Sequence, residues 1–363
     1  MSGRLEEIDF ARLSGWEADD HAAALAAFRL SAARALERPY RSRALTTDKG
    51  FAAVARLSLE TGAADDPRAF FEHRFRPHRV HGGPDVLTGY FEPLVEASPV
   101  RTATHTEPLL RRPPDLVDAR DVAPELRDTD ARYGRVVDGR LKPYHDRAAI
   151  RAGALAGRGL EIVWLDPVDA FTIHVQGSAR LRVGPSLLRV GYAAKSGHSY
   201  TSLGRVMRER LGVTPDEMTM DRLTAWMRTH RGELDDLLAL NRSYIFFAVT
   251  DGNGHGTGDG NGGGDEEPVA SGPAAAAAVP LTPGRSLAVD RALHTFGWPH
   301  FVSTAEPLPG DAAPMRRLLV AQDTGSAIVG PARGDLFVGT GDEAGVVAGR
   351  INHRAAFVVL LPR

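Results

Sequence analysis

The chain has no cysteine, so disulfide bridges, thiolate nucleophiles and cysteine-based zinc sites are all excluded. It also has almost no net charge: 44 basic against 46 acidic residues leave a formal −2, without the positive excess on which nucleic-acid binding depends. No apolar run is long enough to span a bilayer as a helix. The opening segment, Met1 to Phe10, carries acidic side chains and no apolar core, so it does not read as a secretory signal. Histidines number 13, and His73, His78 and His81 lie close together, but they follow no zinc spacing such as His-Glu-x-x-His. Scattered solvated histidines are expected, with no metal and no organic cofactor. A serine hydrolase would present its nucleophile on a Gly-x-Ser-x-Gly elbow, which is missing, and Ser178 after Gln176-Gly177 reads as a turn residue.

What is present is an ordinary globular composition over 363 residues, a length that suggests two domains. Residues 20 to 37 are rich in Ala and Leu, with Leu25, Phe28 and Leu36 at roughly helical spacing, so a helix is expected there. Thr47-Asp48 reads as the cap of a second helix, and Asp66-Pro67 opens a third. Alternation of apolar and polar residues begins near Val86-Leu87-Thr88-Gly89-Tyr90, a strand that turns at Pro93. From about residue 101 the chain becomes basic and Pro-rich, which suggests a crossing into a second domain. There, Ile162–Leu165 and Phe171–Gln176 read as two short strands joined by an Asp-Pro turn. Helices are expected from Ser202 to about Leu211 and across Met220 to Thr229, then a strand over Asn241 to Val249. The Gly- and Ala-rich stretch 251–279 offers little to bury and reads as a flexible surface loop, its likeness to phosphate- or calcium-binding glycine repeats being superficial.

The most informative stretch follows. Leu318-Leu319-Val320-Ala321 reads as a buried strand that stops at Gln322-Asp323-Thr324-Gly325. This puts the Asp323 carboxylate at the mouth of a core strand. Partial desolvation there raises its pKa, as a general acid near neutral pH requires. A Gly-rich turn capped by Asp323 is the plainer reading of the same residues.

Several stretches occur in a fixed order with this one: Leu87–Pro93, Trp164–Phe171, His174–Ser178, Gly191–His198, Tyr200–Gly204, Asn241–Phe247, Leu281–Asp290 and the Asp323 segment. Together they resemble the membrane-bound lytic murein transglycosylase A family with its C-terminal three-aspartate ("3D") domain, over roughly residues 80 to 363. The resemblance implies a mainly β fold with N-terminal helices, in which a smaller β-domain is inserted into a double-psi β-barrel and a cleft lies between them. The expected partition is a helical preamble and first barrel portion at 1–100, the insert at 101–241, and the rest of the barrel at 242–363, with the 3D domain at about 280–355. It implies cleavage of the β-1,4 bond between N-acetylmuramic acid and N-acetylglucosamine in peptidoglycan, leaving a 1,6-anhydromuramoyl end. One carboxylate suffices because the nucleophile is the substrate's own C6 hydroxyl, whereas ordinary glycoside hydrolysis uses two.

The resemblance gives the acid/base role to Asp323 and support roles to Asp335 and Asp290, for which turn capping is the alternative. Thr88, Tyr90, Gln176, Gly177, Lys195 and Tyr200 are the expected saccharide contacts. Glu92 is a possible second carboxylate, though its place before Pro93 suggests a turn edge. Ser196 departs from the family pattern, which has an amide side chain there. The partner is peptidoglycan glycan strands, and the resemblance implies a cell-envelope protein, periplasmic or at the outer membrane, associating there with the membrane or the cell-wall synthesis machinery. A monomer is expected. Two other readings stay open. Asp-Thr-Gly after an apolar strand also presents the carboxylates of aspartic peptidases, which need a second copy that a homodimer would supply. Tyr90, Trp164, Tyr192 and Tyr200 could instead stack on sugars in a non-catalytic glycan-binding module.

Overall fold

A computed structural model describes residues 3–60, 62–214, 217–250 and 272–363. The chain divides into two compact units, the first holding residues 1–91 and the C-terminal portion, the second beginning at Glu92 and running to the end of residue 250. The division thus falls ahead of the compositional shift near residue 101, because the chain changes unit at the Pro93 break between two strands.

In chain order the first unit supplies β1 (Arg4–Glu7), α1 (His21–Glu37), α2 (Phe51–Leu59), α3 (Pro67–Arg74), β2 (Phe75–His81) and β3 (Val86–Glu92). The second supplies β4 (Leu94–Glu96), β5 (Glu107–Leu110), β6 (Glu161–Leu165), α4 (Pro167–Gln176), β7 (Ser178–Val183), β8 (Ser186–Lys195), α5 (Leu203–Leu211), α6 (Met220–Thr229) and β9 (Ile245–Thr250). The first unit resumes with β10 (Ser286–Val289), β11 (Pro299–Pro307), β12 (Pro314–Asp323), β13 (Arg333–Thr340), α7 (Asp342–Ala348) and β14 (Asn352–Pro362).

Six strands of the first unit close on themselves in the order β14-β11-β12-β10-β13-β3, with β3 returning to pair β14 through Thr88 opposite Asn352. The β10–β12 pairing is parallel, and β1 and β2 extend the sheet beyond β14. Helix α1 packs its Ala24, Leu25, Phe28 and Ala32 face on this barrel. Asp20 caps it by accepting from the Ala23 amide at 2.9 Å, and Pro39 follows the end of the helix, where the residue before a proline leaves helical geometry. Phe28 meets Phe51, Phe70, Phe71 and Phe75 in edge-on and tilted contacts, so an aromatic cluster ties all three helices to the barrel. Asp66 caps α3 as expected, but α2 is entered from Gly50 at φ 80. The Thr47 hydroxyl accepts instead from the Lys49 amide at 3.4 Å, and its carbonyl accepts from the Trp298 indole at 2.7 Å.

In the second unit β7 and β8 form a hairpin in the sheet β9-β8-β7-β4, on which α4 packs, and α5 and α6 pack in turn on α4. Helices α5 and α6 occupy the expected spans, each capped by a hydroxyl, Ser202 and Thr219. Phe171–Gln176, expected as a strand, is instead the end of α4. Asp166-Pro167 is not a turn between strands: Asp166 caps the helix by accepting from the Val168 amide at 2.8 Å, and Pro167 occupies its first turn. Gly177, left-handed at φ 84, closes it. Among the described residues no helix is long and apolar enough to cross a membrane.

Candidate active site

The apolar strand that ends in Asp323 is β12, and its final turn of register decides where the carboxylate points. Leu287 on β10 pairs with Ala321, but the next residue, Ala288, pairs with Asp323, so Gln322 is an extra residue in a β-bulge. Such bulges re-aim side chains. Gln322 is fully buried. Its amide donates to the Ala27 carbonyl and the Ser31 hydroxyl of α1, each at 2.9 Å, and accepts from the Ser286 hydroxyl at 2.5 Å. One side chain therefore pins the end of β12 to α1 and β10 immediately before Asp323. Gln322→Ala is expected to cost about 2–4 kcal/mol, from lost packing and from buried polar partners left without it. Urea unfolding measures this, and a change under about 0.5 kcal/mol would contradict the assignment.

On the other side of β10, Ala288 also pairs with Asp335 of β13. Asp323 and Asp335 thus flank one alanine at the same level of the barrel, two strand spacings or roughly 9–10 Å apart at their Cα atoms. Residues directly opposite share a face, so both carboxylates point to the side occupied by Ala288 and Phe337, while Leu287, Val289 and Leu336 belong to the main core.

Strand β3 supplies hydroxyls to both. Thr88 and Tyr90, two apart and so on one face, donate to different acids: Thr88 to Asp335 Oδ1 at 2.5 Å and Tyr90 to Asp323 Oδ2 at 3.0 Å. The Tyr90 ring lies against Phe337 at 5.3 Å between centroids. The second oxygen of Asp323, Oδ1, accepts from the Ala276 amide at 3.0 Å. Ala277 donates to the Gln322 carbonyl at 2.9 Å, and Tyr40 donates to the Ala277 carbonyl at 3.1 Å. Ala274 to Ala278, expected within a flexible loop, is therefore a hydrogen-bonded cover over the site. Backbone pairing, invisible to composition, holds it. The remainder of that loop, 251–271, lies outside the described residues.

Burial raises the Asp323 carboxyl above its ordinary value, opposed by hydrogen bonds from the Ala276 and Thr324 amides and the Tyr90 hydroxyl. Asp335 is pushed up to about 6, chiefly by burial, with the Arg333 charge and the Thr88 hydroxyl pulling it down and the Asp323 charge adding to the rise. Tyr90 is held well above the usual phenol range by burial and by both carboxylates, so it remains a neutral donor. The group is thus a pair of acids that resist ionisation, each oriented by a hydroxyl.

Asp290 lies in the same unit but does not join this pair. Its Oδ1 accepts from the Ala292 amide at 2.9 Å and its Oδ2 from the Gly330 amide at 2.8 Å. It caps its own turn and ties it to the loop that follows Asp323. The other expected contacts belong to the second unit. Gln176 and Gly177 form the C-terminus of α4, Lys195 ends β8, and Tyr200, 37% exposed, precedes α5. Glu92 is not a turn edge. Its buried carboxylate is clamped by Arg180 at 3.0 Å and Arg189 at 2.8 Å. Ser196 is buried, its hydroxyl accepting from the Tyr244 amide at 3.1 Å, which explains a small residue there. Ser178 is likewise buried at the start of β7.

Three members of the site went unread in the sequence. Gln322 and Ala276 gave no signal, because a bulge and a distant backbone amide leave none. Arg333 did give one: it stands two residues before Asp335, the spacing that puts both side chains on one face of a strand.

Residues 285–361 match the 3D domain and residues 86–248 match the MltA specific insert domain. The fold is thus that of a 3D domain carrying such an insert. A crystal structure of a membrane-bound lytic murein transglycosylase from Agrobacterium tumefaciens shares 38% identity, covers 99% of this chain and 98% of its own, and superposes with a TM-score of 0.86. The chain belongs to the membrane-bound lytic murein transglycosylase A family. The Escherichia coli (strain K12) protein of that name is 30% identical over 283 residues, which are 76% of this chain. The match spans 65% of that relative's length. E. coli MltA with bound chitohexaose is 25% identical, covers 100% of this chain and 95% of its own, and has a TM-score of 0.67.

Proposed function

We propose that this protein is a lytic transglycosylase of peptidoglycan in which Asp323 alone carries both proton transfers. The observation that carries the reading is the Asp323 carboxyl itself: half-buried, raised above its ordinary value, and held by Tyr90 and the Ala276 amide. A carboxyl whose charged form is disfavoured donates its proton to the glycosidic oxygen as the bond from C1 of N-acetylmuramic acid to N-acetylglucosamine breaks. The resulting carboxylate takes the proton of the muramoyl C6 hydroxyl while that oxygen bonds to C1. One bond breaks, one forms, the proton is returned, and no water is consumed. Attack from within the same sugar needs no second reactant to be ordered.

The six-strand closure with one parallel pair supports a double-psi β-barrel as its platform. Thr88 and Tyr90 act as orienting hydroxyls as much as saccharide contacts, and Gln176, Gly177, Lys195 and Tyr200 remain the proposed sugar contacts of the second unit. The family relationship supports a place in the cell envelope. Digestion of purified murein followed by mass spectrometry of the muropeptides tests the reading. Anhydromuramoyl ends are expected. Reducing ends, one water heavier, would make the protein a hydrolase, and cleaved peptide stems would make it a peptidase.

A further inference from the structure

Asp323 Oδ1 is held by a backbone amide, that of Ala276, which belongs to a strap of residues 272–281 laid over the end of β12. The strap is bonded to itself: Gly272 donates to the Leu281 carbonyl at 3.1 Å, Leu281 to that of Pro273 at 2.9 Å, and Ala275 to that of Val279 at 2.8 Å. Ala278, left-handed at φ 57, turns it. Ala275, Ala277, Val279 and Leu281 are buried with Tyr90, Ala288, Ile328 and Phe337, while Ala276 and Ala278 between them are exposed. On either side of Ala276, then, only methyl groups are buried, and so little apolar area fixes this part of the strap loosely.

Hydrogen bonds fix it instead. Ala277 is gripped through both backbone groups: its N–H donates to the Gln322 carbonyl of β12 at 2.9 Å, and its carbonyl accepts from the Tyr40 hydroxyl at 3.1 Å. The neighbouring Ala276 N–H then meets Asp323 Oδ1 at 3.0 Å. Tyr40 stands in the connection between α1 and α2, and its ring meets Phe51 and Phe296 edge-on, each at 6.1 Å between centroids. Gly297, left-handed at φ 90, lets the ring come close, since a Cβ there would lie 3.1 Å from Tyr40 Cε2. The phenol is thus held by its aromatic neighbours, and its hydroxyl reaches the strap.

We propose that Tyr40 is a positioning residue for the acid site: its hydroxyl sets the strap where the Ala276 amide fixes the Asp323 carboxyl in the orientation the reaction uses. The inference rests on Asp323 as acid/base and adds a side chain that acts on it only through the backbone of the strap. A shift of about 1 Å in a reacting group costs up to about 10²-fold in rate, so a strap released from Tyr40 is felt in kcat.

The test separates rate, binding and local order. Tyr40→Phe keeps the ring beside Phe51 and Phe296 and removes the donor to Ala277. On solubilised murein strands its kcat is expected to fall about 5- to 50-fold, with KM within about two-fold of the parent. Backbone amide exchange followed by NMR should quicken about ten-fold or more at Ala276 and Ala277, and keep the parent rate along Leu318 to Ala321 in the core. Ala276→Pro, which removes the donor to Asp323, should have a kcat about ten-fold or more below that of Ala276→Ser, which keeps it. In the Ala276→Pro background Tyr40→Phe should cost little more, because the link it serves is already absent. An unchanged kcat in Tyr40→Phe, a loss lying wholly in KM, unmoved exchange at Ala276, or losses that multiply in the double variant would overturn the proposal. If exchange quickens but the parent protein releases no anhydromuramoyl product, the catalytic reading fails and the hold of Tyr40 on the strap stands.

Discussion

Asp323→Asn is expected to lower kcat on murein by about 10²- to 10⁴-fold, the usual contribution of a positioned general acid and base. The amide has the shape of the carboxyl, and its oxygen still accepts one of the two bonds now made by Ala276 and Tyr90. It cannot deliver a proton to the leaving oxygen or take one from the C6 hydroxyl. Since the substitution leaves the shape of the site intact, binding to insoluble murein in a pelleting assay should stay within a few-fold of the parent. Turnover near the parent level would remove Asp323 from its role. A loss of binding as large as the loss of turnover would make it a substrate contact and nothing more.

The second large effect concerns stability, and its sign runs against intuition for a charged residue held by hydrogen bonds in a site. Asp335 is raised from an ordinary 3.8 to about 6, so between those values the folded protein binds more protons than the unfolded chain. Its contribution to stability therefore falls as pH rises across that window, and the cost is complete above it. At 1.36 kcal/mol per unit the cost at pH 8 comes to about 2–3 kcal/mol. Asp335→Asn mimics the neutral carboxyl and keeps an oxygen for the Thr88 hydroxyl. It should stabilise the fold by about that amount at pH 8 and by almost nothing at pH 4, measured by urea unfolding at the two values. Equal effects at both would show that Asp335 ionises in the folded state as freely as in the unfolded one. The destabilised charge is what a site gives up for an acid poised near neutral pH.

How far the sequence led depends on the range of the interactions involved. Helices α1, α5 and α6 were legible because capping and apolar spacing are local: Asp20, Ser202 and Thr219 each sit at the end of a periodic run. The strand ending in Asp323 was legible for the same reason. Asp166-Pro167 misled because one dipeptide serves both turns and helix starts, and only the packing of Val168 and Phe171 among the helices and of Ala170 and Ile173 on the sheet decides between them. The site's finer construction is non-local. A bulge at Gln322 is a matter of register between β10 and β12. The cover from Ala274 to Ala278 is held by backbone groups, which carry no signature in the identity of the residues. Thr88, Tyr90 and Asp335 were named as separate candidates, and the division of one hydroxyl to each acid follows only from the placement of β3 in the closed sheet.

The origin of the second oxygen at the cut end tests the account most directly. Digestion in water enriched in heavy oxygen, followed by mass spectrometry, reports whether solvent enters the muramoyl product. If the C6 hydroxyl closes on C1 with Asp323 moving both protons, no label is incorporated. Label at C1 of the new muramoyl end would mean that water is the nucleophile, and a single half-buried aspartate would no longer account for the reaction.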